Sequence, residues 1–455
     1  MAPFDEILKK DAETAALLFA RKLLDASDDV VSFVDRRLSW GGVGEFDGLL
    51  AGSFNISLKV KRGHSDQRVI IRFPLPGKSY GPWGEEKVKN EALTMTYIRK
   101  HTHIPTPTVY CWGGTEESPQ ALGPFMVMDF VKGENLGRFL AEPTDDKSKL
   151  VFLNPQISEK TLDNIYEQIA EFILELSRLE FPRIGAIGMD DKTAEWTVAE
   201  RPLTYDMNEV VTVGGCSAEE ISITTPFDQT EDFFGACARY FQTHLEGQRN
   251  ISGGDDDVAW KQFVARRCFA KLIPKFGMIE NAGPFRLFCD DLRPTNMLID
   301  PETLRIVAVF DFEFTNAMPA QFVYDVPWWL LLQPPAVWLR QNKLEEFLRL
   351  FEPRKDQFIR SMERAEAKMS SQTQQLPLST RMRDSWNSGR FWFNLASRCS
   401  FDVDDFYWQT LHEEGMGEDL LECGILSEKE SFLSRKGDQF NLYWSEKERD
   451  QRFTT

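Results

Sequence analysis

The chain has 455 residues, of which 42% are hydrophobic, and its formal net charge at pH 7 is -18. This hydrophobic fraction is enough for a sizeable core, which excludes a disordered chain, and the length predicts either two or three domains or one large bilobal enzyme. A surface this acidic repels a phosphate backbone, so nucleic acid is excluded as a partner.

The cysteines and the apolar segments indicate the compartment. The seven cysteines are scattered and include no Cys-x-x-Cys pair, which favours a reducing compartment over a disulfide framework or a zinc site. Residues 1–6 are acidic and lack the apolar region of a signal peptide, and the most apolar stretch, 326–339, is too short to span a bilayer. We therefore expect a cytoplasmic protein without membrane insertion, and the sequence leaves the oligomeric state open.

The first predicted elements are a helical segment and a small sheet. An apolar stripe predicts a helix over 5–38, and alternating polarity predicts strands within 49–60 and 69–74. A helix over 85–100 and a buried strand over 125–131 follow. Turns rich in Gly, Ser and Asp separate these strands.

The rest of the chain is predicted to be mainly helical. A strong amphipathic helix covers 161–180, and residues 215–262 are polar and weakly periodic, which we interpret as an insertion. A charged helix over 341–370, a low-complexity connector over 370–375 and aromatic-rich helices over 380–450 complete the chain. A small sheet with one helix, followed by a larger helical part, predicts an α+β, protein kinase-like bilobal fold.

One pattern that carries chemistry lies just after a predicted strand over 285–288. Asn296 follows Asp291 after four intervening residues, and Asp311 comes after a further apolar run. Kinases need this order, because one Asp takes the proton from the attacking hydroxyl while the Asn and a second Asp hold Mg²⁺ ions that bridge the phosphates. We predict Asp291 as the catalytic base and Asn296 and Asp311 as metal ligands; the alternative is a pair of Asx-rich turns that cap strands.

A kinase also needs a cation on the ATP phosphates and a carboxylate that holds this cation. Arg72 follows a Val-Ile-Ile strand and Glu91 lies on the next helix, which fits that order; the alternative is a surface arginine at a strand end. The other nucleotide-binding candidates are a phosphate-covering turn and an adenine-binding connector, with residues Gly52, Ser53, Asp129 and Val131. Because no Gly-x-Gly-x-x-Gly is present, an ordinary hairpin turn is the alternative interpretation of Gly52 and Ser53.

These elements predict three regions. Residues 1–40 form an N-terminal helical segment, and residues 41–131 form a nucleotide-binding N-lobe. Residues 132–455 form a C-lobe that contains the catalytic loop, the acceptor site and the insertion.

Together these residues resemble the aminoglycoside phosphotransferase / choline kinase-like family, and most closely its fungal phosphotransferase enzyme family members. The resemblance implies a kinase-like bilobal fold and phosphorylation of a small-molecule hydroxyl with Mg²⁺ and ATP, sometimes GTP. Asp291 matches the catalytic Asp of the family, Asn296 and Asp311 match its Mg²⁺ ligands, and Arg72 lies where choline kinase-like members also use Arg. The resemblance covers about residues 40–410. The segments that carry the resemblance are 289–300, 308–314 and 327–331, and segments 181–185 and 201–207 are similar to the fungal group.

The chain also departs from the family pattern. Cys289 replaces the usual His two residues before the catalytic Asp, which bears on loop geometry more than on chemistry, since that His is not the base. The Asp-Phe-Glu at 311–313 lacks the glycine of protein kinases, and no Ala-Pro-Glu follows. A protein kinase is therefore disfavoured.

In this family the acceptor binds between the catalytic loop and the C-terminal helices. Carboxylates and aromatic side chains there would suit a cationic amino alcohol or an aminoglycoside-like compound, although aromatics at helical spacing more often belong to a core. The alternative functions are a catalytically weak or inactive binding protein on the same fold and a nucleotidyl transferase. The acceptor-site candidates are Glu313, Asp402, Asp404, Asp405, Glu413, Glu414, Trp328, Trp329, Trp386, Trp392, Tyr407 and Trp408.

Overall fold

A computed structural model describes residues 4–144, 146, 150–190, 192–369, 376–413, 415–416 and 425–453, so the predicted connector 370–375 and Glu414 lie outside the described residues. The strands are β1 (Gly44–Ala51), β2 (Asn55–Arg62), β3 (Arg68–Pro74), β4 (Val109–Gly113), β5 (Phe125–Asp129), β6 (Glu134–Asn135), β7 (Glu180–Phe181), β8 (Ala186–Met189), β9 (Trp196–Glu200), β10 (Phe285–Phe288), β11 (Met297–Asp300), β12 (Arg305–Val309) and β13 (Asn316–Met318). The helices are α1 (Glu6–Asp25), α2 (Ser27–Arg37), α3 (Gly84–His101), α4 (Leu136–Leu140), α5 (Glu159–Leu176), α6 (Tyr205–Thr212), α7 (Thr230–Gly247), α8 (Asp256–Lys271), α9 (Ile273–Phe276), α10 (Ala336–Leu339), α11 (Leu344–Lys368), α12 (Leu378–Asn387), α13 (Arg390–Ala396), α14 (Val403–Phe406) and α15 (Ile425–Arg449).

A five-stranded antiparallel sheet has the order β1-β2-β3-β5-β4 and is covered on both faces. Because side chains alternate along a strand, β5 turns Phe125 and Val127 toward a core that contains residues of α1 and α2. It turns Met126 and Met128 toward a second core that contains residues of α3. The predicted α+β architecture, with a small antiparallel sheet and many helices, is confirmed.

The N-terminal segment differs from the single helix predicted over 5–38. Ala26 leaves the helical conformation, with φ -90° and ψ 7°, and separates α1 from α2. Asp28 and Asp29 occupy the first turn of α2, where negative charge interacts favourably with the helix dipole. The break allows α2 to bury Val30 and Val34 on the sheet as well.

Short strands place the ends of the predicted catalytic segments side by side. β10 pairs with β7 and β13, and β11 pairs with β12, with Met297 opposite Val309. α5 ends at Leu176, four residues before the predicted end of its helix, because the chain turns at residues 177–178 and then forms β7, which pairs with β10. The loops after β10 and β12 are therefore fixed at both ends.

The region 215–262 was predicted as polar and weakly periodic, but it contains all of α7. Phe233 and Phe234 of this helix, and Tyr240 and Phe241 two turns later, are buried in the main core. The stripe also includes buried His244, together with Ala and Cys, and such residues weaken the contrast between an apolar and a polar face. None of the described helices is both long enough and apolar enough to cross a membrane.

Candidate active site

The loop after β10 presents Asp291 in a turn that Asn296 closes. The Asn296 amide Nδ2 donates to the Asp291 carboxylate Oδ2 at 2.7 Å and to the Asp291 backbone carbonyl at 2.9 Å. The guanidinium Nε of Arg293 lies 2.6 Å from the other carboxylate oxygen of Asp291. Burial raises the pKa of Asp291 to about 7, against the opposing charge of Arg293.

The loop after β12 brings Asp311 to the same place. The backbone N–H of Phe310 donates to the carbonyl of Asn296 at 3.0 Å, which joins the two loops. Asp311 itself has a left-handed backbone, with φ 67°, and the next side chain, Phe312, is buried. The negative charge of Asp311 contributes to the raised pKa of Asp291, so the two carboxylates are within electrostatic reach of each other.

Arg72 of β3 reaches across from the sheet to this loop. Its guanidinium donates to Glu91 of α3 at 3.0 Å and to Asp311 at 2.5 Å. Arg72 and Glu91 are both almost fully buried. The structure thus brings Arg72, Glu91, Asp311, Asn296 and Asp291 into one connected group, although they come from four separate segments.

The same group contains residues that the sequence interpretation missed or placed elsewhere. The Lys87 ammonium of α3 lies 2.6 Å from the carboxylate of Glu313, which also accepts from Arg72 at 3.1 Å and from the Asn55 amide at 2.7 Å. Lys87 stands one helical turn before Glu91, on the same face of α3, and this spacing is the signal that could have identified it. Glu313, predicted as an acceptor-site residue, belongs instead to this ion cluster.

We call Arg72, Lys87, Glu91, Asp311 and Glu313 the ion cluster; it has two cations and three carboxylates. Burial raises the pKa of Glu91 to about 7, and burial together with the charge of Glu313 raises the pKa of Asp311. Burial also acts to raise the pKa of Glu313, but the charges of Lys87 and Arg72 outweigh it and hold that pKa below its usual value. With all three carboxylates ionised the cluster has a formal charge of -1, and the raised pKa values of Glu91 and Asp311 indicate that this charge is disfavoured there, so a bound cation would relieve it.

The remaining predicted nucleotide-binding residues lie on the sheet. Gly52 and Ser53 are exposed in the β1–β2 turn, where the Gly52 N–H donates to the carbonyl of Asn55 at 2.8 Å. Through Asn55 this turn contacts the ion cluster. The Asp129 carboxylate instead accepts from the backbone N–H of Thr108 and from the Tyr110 hydroxyl, and Val131 lies half-buried two residues later.

Cys289 is a small buried side chain within the predicted catalytic loop. Burial raises the pKa of its thiol, so the thiol is uncharged at neutral pH and is no nucleophile. The neighbouring residue Asp290 has two contacts that hold the loop: its carbonyl accepts from the Trp328 indole at 3.2 Å, and its carboxylate pairs with Arg398.

The C-terminal acceptor candidates mostly stabilise the fold. Asp404 pairs with the fully buried Arg266 at 3.1 Å, and Asp402 pairs with Arg340. Trp392 is buried in the main core and Trp386 packs against it, as expected of aromatics at helical spacing. Glu413 forms an exposed ion pair with Lys275.

Comparison with known proteins supplies the family. The model of the "Phosphotransferase enzyme family" matches residues 51–352, which is more than half of the chain. Two curated proteins of Aspergillus fumigatus strains, both described as subtelomeric hrmA-associated cluster proteins, are 28% identical over 149 residues. That match covers 32% of this chain and only 25% of each relative.

The solved structures that are similar to this chain include an aminoglycoside phosphotransferase and an ethanolamine kinase. A thermostable mutant of the aminoglycoside phosphotransferase APH(4)-Ia, in complex with ADP and hygromycin B, is 13% identical, with a TM-score of 0.43 over 90% of this chain and 98% of that one. The ethanolamine kinase of Plasmodium vivax is 11% identical, with a TM-score of 0.39 over 88% of this chain and 82% of that one.

Proposed function

This chain belongs to the phosphotransferase enzyme family, and we propose that it transfers the terminal phosphoryl group of ATP to a hydroxyl of a small molecule. The observation that carries the proposal is a pair of contacts, of Asp291 with Asn296 and of Asp311 with Arg72. The loops that carry Asp291 and Asp311 are joined by a backbone hydrogen bond. Phosphoryl transfer needs positioned charges more than covalent participation by the protein, and this group supplies them.

Asp291 would act on the acceptor. Its carboxylate takes the proton of the hydroxyl while the hydroxyl oxygen bonds to the γ-phosphorus of ATP and ADP leaves. A base works best when its pKa is close to the working pH, and burial raises the pKa of Asp291 to about 7. Asn296 would hold this carboxylate in place through its amide N–H.

Asn296 and Asp311 would hold Mg²⁺. The Asn296 amide N–H groups face Asp291, which leaves the Asn296 carbonyl oxygen as a metal donor, and the excess negative charge of the ion cluster suits a cation. Among the described residues, no three His, Cys, Asp or Glu side chains form a group that could hold a metal ion. Bound there, Mg²⁺ would neutralise charge that develops on the phosphates.

The sheet-containing region 41–131 would bind the nucleotide. Arg72, held by Glu91, would exchange its contact with Asp311 for the phosphates, and Lys87 would keep Glu313 paired. The Gly52–Ser53 turn would cover the phosphates, and the backbone at Asp129 and Val131 would face the adenine. The region 132–455 would bind the acceptor.

The acceptor would be a positively charged amino alcohol or an aminoglycoside-like compound. Support comes from carboxylates close to one another beyond the catalytic loop: besides burial, the charges of Asp402, Asp206 and Glu209 raise the pKa of the Cys399 thiol. Burial raises the pKa of Glu209 to about 8, and an ammonium bound nearby would return it to the charged form.

The free cysteines among the described residues, such as Cys399, suit the cytoplasm.

Product mass tests the proposal directly. We expect the protein with Mg²⁺ and ATP to add one phosphoryl group to at least one compound in a panel of amino alcohols, aminoglycosides and sugars. Asp291→Ala should lose this product, and Asp300→Ala, a control at a surface Asp whose carboxylate accepts from the Glu302 N–H, should keep it. Nucleotide binding without product across the panel would contradict the kinase and favour the binding-protein alternative.

A further inference from the structure

We propose that Asn55 is a positioning residue that holds the β1–β2 turn closed over the nucleotide phosphates, and that its hydrogen bond to Glu313 sets the rates at which the nucleotide enters and leaves. This inference rests on the proposed function, because it assumes that the Gly52–Ser53 turn covers the phosphates. It goes beyond that function in assigning the side chains that hold the turn and the step of the cycle that they control.

The amide of Asn55 lies between two oppositely charged side chains. Its Nδ2 donates to the Glu313 carboxylate at 2.7 Å, and its Oδ1 accepts from the Lys87 ammonium at 3.1 Å. Because Glu313 and Lys87 are both buried, these hydrogen bonds to charged groups are shielded from water and are stronger than bonds between neutral groups. Asn suits this place because its amide carries both a donor and an acceptor, whereas Asp would put a second carboxylate against Glu313.

Lys87 is itself held in place. Its ammonium contacts Glu313 at 2.6 Å, Asn55 at 3.1 Å and the Ser79 hydroxyl at 3.0 Å, so its three donors have three partners. Ser79 is buried in the segment between β3 and α3, and its N–H donates to the carbonyl of Leu75 at 3.0 Å. Lys87 therefore fixes the orientation of the Asn55 amide relative to α3 and to the end of β3.

A second contact joins the same turn to the same loop. The ring of Phe54, the residue before Asn55, makes edge contacts with Phe314 at 6.3 Å between ring centroids and with Tyr205 of α6 at 5.3 Å. The Lys87 ammonium lies over the Phe54 and Phe314 rings, at 5.9 and 5.4 Å from their centroids. Two adjacent residues of the turn thus contact two adjacent residues of the loop after β12, and we call these contacts of Phe54 and Asn55 the latch.

The latch lies next to the group that would bind the phosphates. Glu313, which accepts from Asn55, also accepts from Arg72 at 3.1 Å. The turn belongs to the hairpin of β1 and β2, and β1 lies at the edge of the five-stranded sheet, where a hairpin can swing with little loss of backbone pairing. Every partner in the latch is a protein group, so the latch can close whether or not the nucleotide is bound, and it must open both for entry and for exit.

Nucleotide exchange rates test the latch without any acceptor. Binding of a fluorescent ADP analogue in the presence of Mg²⁺, and its release into excess ADP, would be followed by stopped-flow fluorescence. Loss of a hydrogen bond to a buried charged group should raise the dissociation rate constant of Asn55→Ala about tenfold. The association rate constant should rise as well, because the latch obstructs entry and exit alike, so Kd should change less than about threefold.

Two further variants complete the experiment. Phe54→Leu keeps an apolar side chain but removes the ring contacts with Phe314 and Tyr205, and it should raise both rate constants in the same direction. Asn164→Ala is the matched control, because this exposed amide on α5 accepts only from the nearby surface of its own helix, at 2.9 Å from Gln168. It should leave both rate constants unchanged.

The outcomes separate the latch from the kinase. Unchanged rate constants in Asn55→Ala and Phe54→Leu would overturn the latch and leave the kinase standing. Faster dissociation with an unchanged association rate constant would also overturn the latch, because that pattern indicates a lost contact with the nucleotide itself. If the wild type bound no ADP, the kinase and the latch would both be overturned. Phe54→Leu changes the other contact of the latch, so it decides the matter even if Asn55→Ala fails to fold.

Discussion

The buried ion pair between Lys87 and Glu313 allows a stability prediction that does not depend on the reaction. Lys87→Met would keep most of the aliphatic stem and remove the ammonium, whose 2.6 Å contact with Glu313 joins side chains that are only 3% and 6% exposed. Removing one partner of a buried pair costs about 3–5 kcal/mol, because the other charge stays buried without compensation. Since Glu313 keeps Arg72 and Asn55 as partners, we expect the lower end, about 3 kcal/mol.

A double-mutant cycle measures this energy. Lys87→Met, Glu313→Gln and the double variant would be unfolded in urea and followed by circular dichroism and tryptophan fluorescence. The double variant should lose less stability than the sum of the single losses, with a coupling energy of about 2 kcal/mol, because Gln leaves no unpaired charge. The control pair is Lys10 and Glu13, which are 44% and 40% exposed and whose disruption should cost under about 1 kcal/mol.

Two results would refute the reasoning. A loss for Lys87→Met no larger than that for Lys10→Met would mean that the buried contact contributes little. Strict additivity in the cycle would mean that Lys87 and Glu313 do not interact, whatever their separation.

Three further predictions concern pH and the nucleotide. Because a base acts in its deprotonated form and burial raises the pKa of Asp291 to about 7, kcat/KM should rise with pH through about 7 and level off above it; a flat pH–rate profile would contradict this role. Arg72→Lys keeps the charge but loses the fork that contacts Glu91 and Asp311 together, so the Kd for Mg²⁺ and ATP by calorimetry should rise about tenfold, and an unchanged Kd would exclude Arg72 from the phosphates. Burial raises the pKa of Asp206 to about 7, so between its ordinary value and 7 the folded state binds more protons than the unfolded state, and stability should fall as pH rises through this window. Asp206→Asn should flatten that slope in urea titrations at several pH values, and an unchanged slope would show that Asp206 does not titrate there.

The order of the site residues along the chain was readable because the chemistry constrains it. Asp291, Asn296 and Asp311 lie in two short loops next to strands, and spacing within a loop follows from local backbone geometry. Arg72 and Glu91 were found in the same way, from the strand and helix that carry them. That they meet was an expectation, and the structure places Arg72 in contact with both Glu91 and Asp311.

The residues that were missed or misplaced take their position from packing between distant segments. Lys87 looks like any other lysine on a charged helix, and only the fold of α3 against Glu313 and Asn55 buries it. Long-range contacts of this kind are not encoded in a local pattern.

The sequence by itself determined the fold class, the family and the order of the predicted catalytic segments, because helix and strand periods and loop spacing are local properties of the chain. Tertiary structure alone decided which charges are buried together and which carboxylates have raised pKa values. The physical reason is that burial and electrostatic interaction depend on distance in space, and the ion cluster joins residues as far apart as Asn55 and Glu313, separated by 258 positions.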